Sequence, residues 1–326
     1  LKLYLTMKFY KESLSKIRLN HTNLGISVLI AAIFAVWPVA ADKITTNQQG
    51  LAPGLRVSSA AEVNWFEVNQ LDKLNLKSRA VILIDSDSGR IIGAKQPRLV
   101  LPLASLSKLM AVKLVLDYGL RPEQVVLVSP TQIAQQTSVY VDEDSAISQI
   151  GLRQAESFRV ADLLIAAVVA SANDAVIALV NGAQLPGSYG AAAQKQINIL
   201  NLNETRLFEP TGLDPANVST AFDVARLADA VWRDNYIREF SHQSAVNIKS
   251  SSGSVYKLTN TNVLAGAAGN YRVLASKTGH LNEVGYNLAQ IIRLNNGQRY
   301  LMVLLGAPTA TARIEDANLL ANWISS

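Results

Sequence analysis

The strongest constraint on the fold is where the strand-forming segments stand. Val81-Ile82-Leu83-Ile84 and Arg90-Ile91-Ile92-Gly93 flank Asp87-Ser88-Gly89, which predicts a β-hairpin closed by a tight turn. Strands are also predicted near the other end, over Tyr271 to Lys277, Tyr286 to Leu294 and Arg299 to Leu305, the last two joined by the turn sequence Asn295-Asn296-Gly297. Everything between is helical in pattern: Ser105 to Leu116, Asp162 to Ala170, Ala172 to Asn181, Tyr189 to Leu200 and Asp223 to Arg233, with Ser171, Gly182, Pro186 and Ser219-Thr220 as breaks and caps. A last helix is expected from Thr311 to Trp323. Strands at both ends with helices inserted between them exclude a βαβ alternation. The expected class is α+β: one antiparallel sheet assembled from distant segments, flanked by helices, plus a helical lobe.

The beginning of the chain has a different character. Lys8, Lys11, Lys16 and Arg18 precede the uncharged stretch Leu24 to Ala41, which ends in Val39-Ala40-Ala41. Basic, apolar and small residues in that order are the layout of a secretory signal cleaved after Ala41. An uncleaved membrane anchor is the alternative, because the apolar stretch nears the minimum length of a span. Either way the rest is expected to be exported. The expected organisation is a signal peptide or N-terminal anchor over 1–41, a linker over 42–78 in which any ordered stretch is short, and one folded domain over 79–326.

Charge and cysteine content then exclude whole classes of function. The formal net charge of +5 suggests an anionic partner, yet five of the 30 basic residues and one of the 25 acidic ones lie in the first 41 positions. The remainder is close to neutral, so no nucleic-acid partner is expected. Without cysteine there are no disulfides, no Cys-based zinc sites and no thiol nucleophile. Beyond the signal only His242 and His280 remain, without metal-ligand spacing, so neither a metal site nor any other cofactor is expected.

Three motifs carry chemistry. Ser105-Leu106-Ser107-Lys108 places a hydroxyl and an amine three residues apart, neighbours on one face of a helix. At the start of that helix the dipole favours a Ser105 alkoxide, and for Lys108 to accept its proton the amine must be neutral, which requires desolvation and a nearby cation. Alone the motif is weak: Ser13-Leu14-Ser15-Lys16 repeats it within the signal, and Ser254-Val255-Tyr256-Lys257 fits the spacing in a predicted strand or turn. Ser171-Ala172-Asn173, between two apolar helices, reads by itself as a helix cap. Lys277-Thr278-Gly279 reads by itself as a strand end. Together, in this order, they match the Ser-x-x-Lys, Ser-x-Asn, Lys-Thr-Gly set of penicillin-recognising serine enzymes.

On these residues the chain resembles the D-alanyl-D-alanine carboxypeptidases and endopeptidases among the low-molecular-mass penicillin-binding proteins. The resemblance runs from about Ala80 to Ser326 and includes Pro102 to Met110, Ser171-Ala172-Asn173-Asp174-Ala175, Glu209-Pro210-Thr211-Gly212-Leu213-Asp214, Asn217-Val218-Ser219-Thr220-Ala221, Lys277-Thr278-Gly279-His280 and Gly285-Tyr286-Asn287-Leu288. It implies the DD-peptidase/β-lactamase-like fold and a periplasmic enzyme of cell-wall biogenesis and cell shape, anchored to the inner membrane if the signal is not cleaved. Ser105 would be the acylated nucleophile, Lys108 its general base and Ser171 the proton shuttle. Asn173, Lys277, Thr278 and Gly279 would bind substrate, and the backbone N–H groups of Ser105 and His280 would form the oxyanion hole. Substrates would be peptidoglycan stem peptides, with β-lactam antibiotics as covalent inhibitors.

Within that family, 49 residues follow Lys277, enough for two strands and a helix but not for the additional β-rich domain of the larger carboxypeptidases. This and the Glu-Pro-Thr-Gly-Leu segment favour a DD-endopeptidase acting on crosslinks over a carboxypeptidase trimming pentapeptides. A β-lactamase would need a carboxylate to activate the deacylating water. Glu204 and Glu209 lie in the right interval but are read as a surface charge and a loop start, because the residues around them depart from that pattern. A non-catalytic peptidoglycan-binding protein is disfavoured because every catalytic position is filled.

Overall fold

The computed structural model describes residues 70–140, 147–267 and 269–326. The expected signal and most of the expected linker lie outside the described residues. Five antiparallel strands form the main sheet: β1 (Ala80–Asp85), β2 (Ile91–Lys95), β3 (Tyr271–Leu281), β4 (Gly285–Leu294) and β5 (Arg299–Ala307). Their spatial order is β2-β1-β5-β4-β3. The N-terminal hairpin therefore joins the C-terminal meander through β1 and β5, with Ile82 opposite Val303. The first hairpin turns where expected, because the Asp85 carboxylate accepts the N–H groups of Asp87 and Ser88.

Both faces of the sheet are covered, which explains why β1 is an unbroken apolar run rather than an alternating one. Ile82, Ile84, Ala289, Leu301 and Val303 point into the helical lobe. Val81, Leu83, Leu288, Met302 and Leu304 point the other way, under the last helix. The helices are α1 (Lys108–Asp117), α2 (Pro130–Thr137), α3 (Val160–Val169), α4 (Asn173–Gly182), α5 (Tyr189–Ile199), α6 (Ala221–Trp232), α7 (Asn235–Ser241) and α8 (Ala310–Ser325). All ten residues of α3 are buried, as an all-round apolar helix demands. Thr220 caps α6 by accepting from Asp223 N–H, and Thr309 caps α8 by accepting from Ala312 N–H. Among the described residues no helix is long and apolar enough to cross a membrane.

Two small ribbons, Val125–Val128 with Glu156–Arg159 and Ala245–Lys249 with Val255–Thr259, were not evident in the sequence, nor were α2 and α7. Their outer faces stay in solvent, with Val125 and Leu127 both exposed, so the segments show no clean apolar period.

Of the segment expected as a linker, residues 70–78 are described. Gln70–Leu74 form a short 3-10 helix whose Leu71 is buried against Gly93 of β2. Lys77 and Ser78 are then tied to α8: the buried Asp316 carboxylate accepts from Lys77 N–H (3.0 Å), Ser78 N–H (2.6 Å) and the Ser78 hydroxyl (2.6 Å). Asp316→Ala strands these buried donors at about 1–3 kcal/mol each when unpaired. The expected result is a loss of about 3 kcal/mol in urea unfolding, with the m-value unchanged.

Candidate active site

Ser105 lies in a 3-10 turn, Ala104–Ser107, that runs directly into α1. The expected placement in the first turn of an α-helix is thus corrected by a few residues, since α1 begins at Lys108. Ala104 enters the turn at φ +49°, a left-handed conformation that costs a non-glycine residue roughly 1–2 kcal/mol. Surrounding contacts hold it there. Asn287 of β4 donates to the Pro102 and Leu103 carbonyls, both at 3.0 Å, and accepts from Gly306 N–H at 2.8 Å. Directly opposite Asn287 in the sheet is Gly279, where a Cβ would stand 2.6 Å from the Leu103 carbonyl oxygen. Only glycine lets β3 lie this close to the turn.

The Lys108 amine is fully buried and donates to Ser105 Oγ at 2.9 Å and to the Thr211 carbonyl. Burial pushes it down to about 7, while the carboxylates of Glu209 and Asp174 pull it part of the way back. Lys277, also buried, donates to Ser171 Oγ at 2.9 Å and to the Thr278 carbonyl at 2.8 Å. It is held well below the usual lysine range by burial first, then by the charges of Lys108 and Arg313. Desolvation is the main cause of the Lys108 shift, as expected, and a second buried amine, Lys277, stands in the same site and is itself lowered by the charge of Lys108.

Ser171 is no helix cap. Its φ is +58°, it is buried, and Ala172 takes the N-cap position of α4. The bend turns its hydroxyl to Lys277. Asn173, the first residue of α4, is buried, and its Oδ1 has no hydrogen-bond partner among the described residues. An orphaned buried acceptor costs about 1–3 kcal/mol, and this one lines the cleft where a ligand N–H would satisfy it. Thr278 donates to Thr261 Oγ1 at 2.6 Å, and both line the cleft.

The cleft has a volume of about 880 Å³ and is bordered by Ser105, Ser171, Asn173, Thr278, Gly279 and His280, so the three motifs converge on one space. Lys108 and Lys277 stand behind Ser105 and Ser171 respectively. His280 stacks on Tyr286 with ring centroids 3.9 Å apart. Burial and the charge of Arg313 hold its imidazole below the usual histidine range.

Arg313 of α8 was missed in the sequence. It is 5% exposed, donates to the Asn287 carbonyl at 3.3 Å, borders the cleft and pairs with no carboxylate among the described residues. The available signal was a single cation in the first turns of a helix that also carries Glu315 and Asp316, and it belongs to no motif.

Glu204 is a surface charge, paired with Arg98. Glu209 does start a loop but is not on the surface: it is 7% exposed, its carboxylate accepts only from groups of its own loop, and it does not border the cleft.

A serine hydroxyl held by a buried amine, in an α+β fold with a second amine and hydroxyl facing it, defines a serine-dependent acyl-transfer hydrolase of the penicillin-binding class. Comparison with known proteins gives the same answer. The family description "D-alanyl-D-alanine carboxypeptidase" matches residues 67–309. The D-alanyl-D-alanine endopeptidase of Escherichia coli is 30% identical over 256 residues, covering 77% of this chain and 78% of that protein. The enzyme of the same description from Pseudomonas aeruginosa is 29% identical with the same coverage. The crystal structure of the Streptomyces K15 DD-transpeptidase superposes with a TM-score of 0.68 at 21% identity, covering 76% of this chain and 97% of that one. The chain belongs to the D-alanyl-D-alanine carboxypeptidase family and is a serine DD-peptidase.

Asn287→Ala removes the two hydrogen bonds that pin the Pro102 and Leu103 carbonyls to the sheet and the one that fixes Asn287 to Gly306. The expected loss is about 3 kcal/mol in urea unfolding. A change within 0.5 kcal/mol would mean that the turn holds its left-handed residue without help from Asn287.

Proposed function

We propose that the protein is a periplasmic DD-endopeptidase that hydrolyses the D-alanyl crosslinks of peptidoglycan through an acyl-enzyme on Ser105. The observation that carries this reading is the Lys108 amine, buried, pushed down to about 7 and 2.9 Å from Ser105 Oγ. Near neutral pH a large fraction of such an amine is free to take the hydroxyl proton as Oγ attacks the D-alanyl carbonyl carbon. The N–H groups of Ser105 and His280 receive the developing oxyanion. When the tetrahedral species collapses, the C–N bond breaks and the leaving amine takes the Ser171 proton; Lys277 reprotonates Ser171 and is itself recharged with the proton that Lys108 took from Ser105. Lys108, neutral again, takes a proton from the water that attacks the acyl carbon, and returns it to Ser105 Oγ as the ester C–O bond breaks and the acid product leaves.

Asn173 Oδ1 accepts from the substrate backbone. Lys277 and Thr278 hold the carboxylate beside the scissile bond, joined by Arg313, whose guanidinium has no carboxylate partner of its own among the described residues. The same groups make β-lactam antibiotics covalent inhibitors. The domain includes residues 70–78, which the sequence assigns to the linker but which pack against β2 and α8, as well as 79–326, and it is preceded by a shorter linker and an export signal.

The endopeptidase reading is supported by the likeness to the two D-alanyl-D-alanine endopeptidases named above, each matched over 78% of its length.

Labelled penicillin is expected to give a stable adduct that maps to Ser105 by mass spectrometry and is lost in Ser105→Ala. An equal yield from the variant overturns the mechanism. Purified crosslinked muropeptide dimers should be converted to monomers faster than monomeric pentapeptides lose D-alanine; the reverse order makes the enzyme a carboxypeptidase.

The pH profile gives an independent check. A base must be unprotonated to act, so the acylation rate should rise with pH through a midpoint near 7, where Lys108 loses its proton, and not near the ordinary lysine value.

A further inference from the structure

The loop that begins at Glu209 is not accounted for by the chemistry above. Its carboxylate is buried and accepts five hydrogen bonds. Thr211 N–H (2.6 Å) and the Thr211 hydroxyl reach Oε2, while Gly212 N–H (2.5 Å), Asn217 Nδ2 (2.9 Å) and Asp214 N–H (3.3 Å) reach Oε1. No cation among the described residues pairs with it. Four of the five partners are N–H groups, which can only donate, and they match the acceptor-only oxygens of a carboxylate.

One of these bonds leads to the active site. Gly212 N–H and the Thr211 carbonyl are the two ends of a single trans peptide group. The N–H end donates to Glu209, and the C=O end accepts from Lys108 Nζ. A carboxylate and an amine thus sit at opposite ends of one peptide dipole, each polarising it in the same sense. Aligned hydrogen bonds of this kind strengthen one another in a low-dielectric interior.

The loop is also seated directly on the Ser105 turn. Gly212 has φ +78°, and a Cβ there would lie 1.9 Å from the Ala104 carbonyl oxygen. Asn217 closes the loop from the other side, accepting from Phe208 N–H at its amide oxygen and from Leu103 N–H at its carbonyl, both at 2.8 Å.

We infer that Glu209 is a positioning residue, acting through the Thr211–Gly212 peptide group to orient Lys108 and to set how tightly that amine holds its proton. The inference rests on the reading of Lys108 as the base for Ser105. Other charged and titratable groups face the pair. Asp174 of α4 acts on Lys108, the charge of Lys108 lowers Lys277 of β3, and Tyr189 of α5 and Tyr140 at the cleft rim feel Glu209. Of these, only Glu209 is linked to Lys108 by a continuous pair of hydrogen bonds. Its negative charge favours the ammonium form, so removing the charge makes Lys108 easier to deprotonate.

The test compares the pH dependence of Ser105 acylation by labelled penicillin in the full protein, in Glu209→Gln and in Glu209→Asp. In Glu209→Gln the midpoint of the rise is expected at lower pH than in the parent. The plateau rate should fall on the order of a hundredfold as the amine loses its alignment. Glu209→Asp keeps the charge and should return the midpoint toward that of the parent. A uniform loss of rate with an unmoved midpoint in both variants makes Glu209 a loop brace only and overturns the inference.

Should Glu209→Gln fail to fold, the parent protein supplies the measurement. The Gly212 amide proton is expected far downfield in a ¹H–¹⁵N spectrum and should titrate with the same midpoint as acylation; a flat Gly212 shift across that range overturns the inference as well. If the parent is never acylated at Ser105, the mechanism itself has failed. Acylation with an unmoved midpoint removes only the role of Glu209.

Discussion

The arrangement of this protein depends on a lysine amine buried without an ion-pair partner. Placing a charged ammonium in a protein interior costs several kcal/mol even after relaxation, and a paired carboxylate would offset that cost while making the amine useless as a base. Here the penalty is met by weakening proton binding until it is lost near neutral pH, with a serine hydroxyl and one backbone carbonyl as the only hydrogen-bond partners among the described residues. Those two partners come from places more than a hundred residues apart, Ser105 and Thr211. The 3-10 turn, the loop from Glu209 to Asn217 and the packing of α1 against the lobe are what keep them both within reach.

The sheet does the rest of the positioning. β3 borders the Ser105 turn so closely that Gly279 leaves no room for a side chain, and Asn287 on the neighbouring strand grips the turn's carbonyls from beneath. Lys277, two residues before Gly279, then stands behind Ser171, where the left-handed bend between α3 and α4 turns the hydroxyl toward its amine. Backbone strain is present where the chemistry is proposed. Ala104 and Ser171 are both non-glycine residues at positive φ, each held by buried hydrogen bonds around it.

Much of this was legible before any coordinates. Apolar runs bounded by turn residues located the five strands of the sheet, and the α+β class followed from their placement at the two ends. The exposed ribbons and α2 and α7 were not legible, because their outward faces carry apolar residues such as Val125 and Leu127 and blur the period. At the site, the three motifs named Ser105, Lys108, Ser171, Asn173 and Lys277 to Gly279, all of which meet at one cleft or stand immediately behind it. Arg313 had no such signal, since a lone arginine on a helix looks the same whether it faces solvent or a buried cleft.

The sequence by itself determined which chemical groups are present and in what order, because hydroxyl, amine and amide side chains at fixed short spacings are local facts of the chain. It also determined the strand and helix pattern, because side-chain periodicity is local too. Only the tertiary structure decided how those groups behave. Whether Lys108 binds its proton tightly, whether Glu209 is a surface charge or a buried one, and whether Asn173 has a partner all depend on solvent exclusion and on neighbours from distant segments. Desolvation and the local field are properties of the packed interior, and no stretch of sequence contains them.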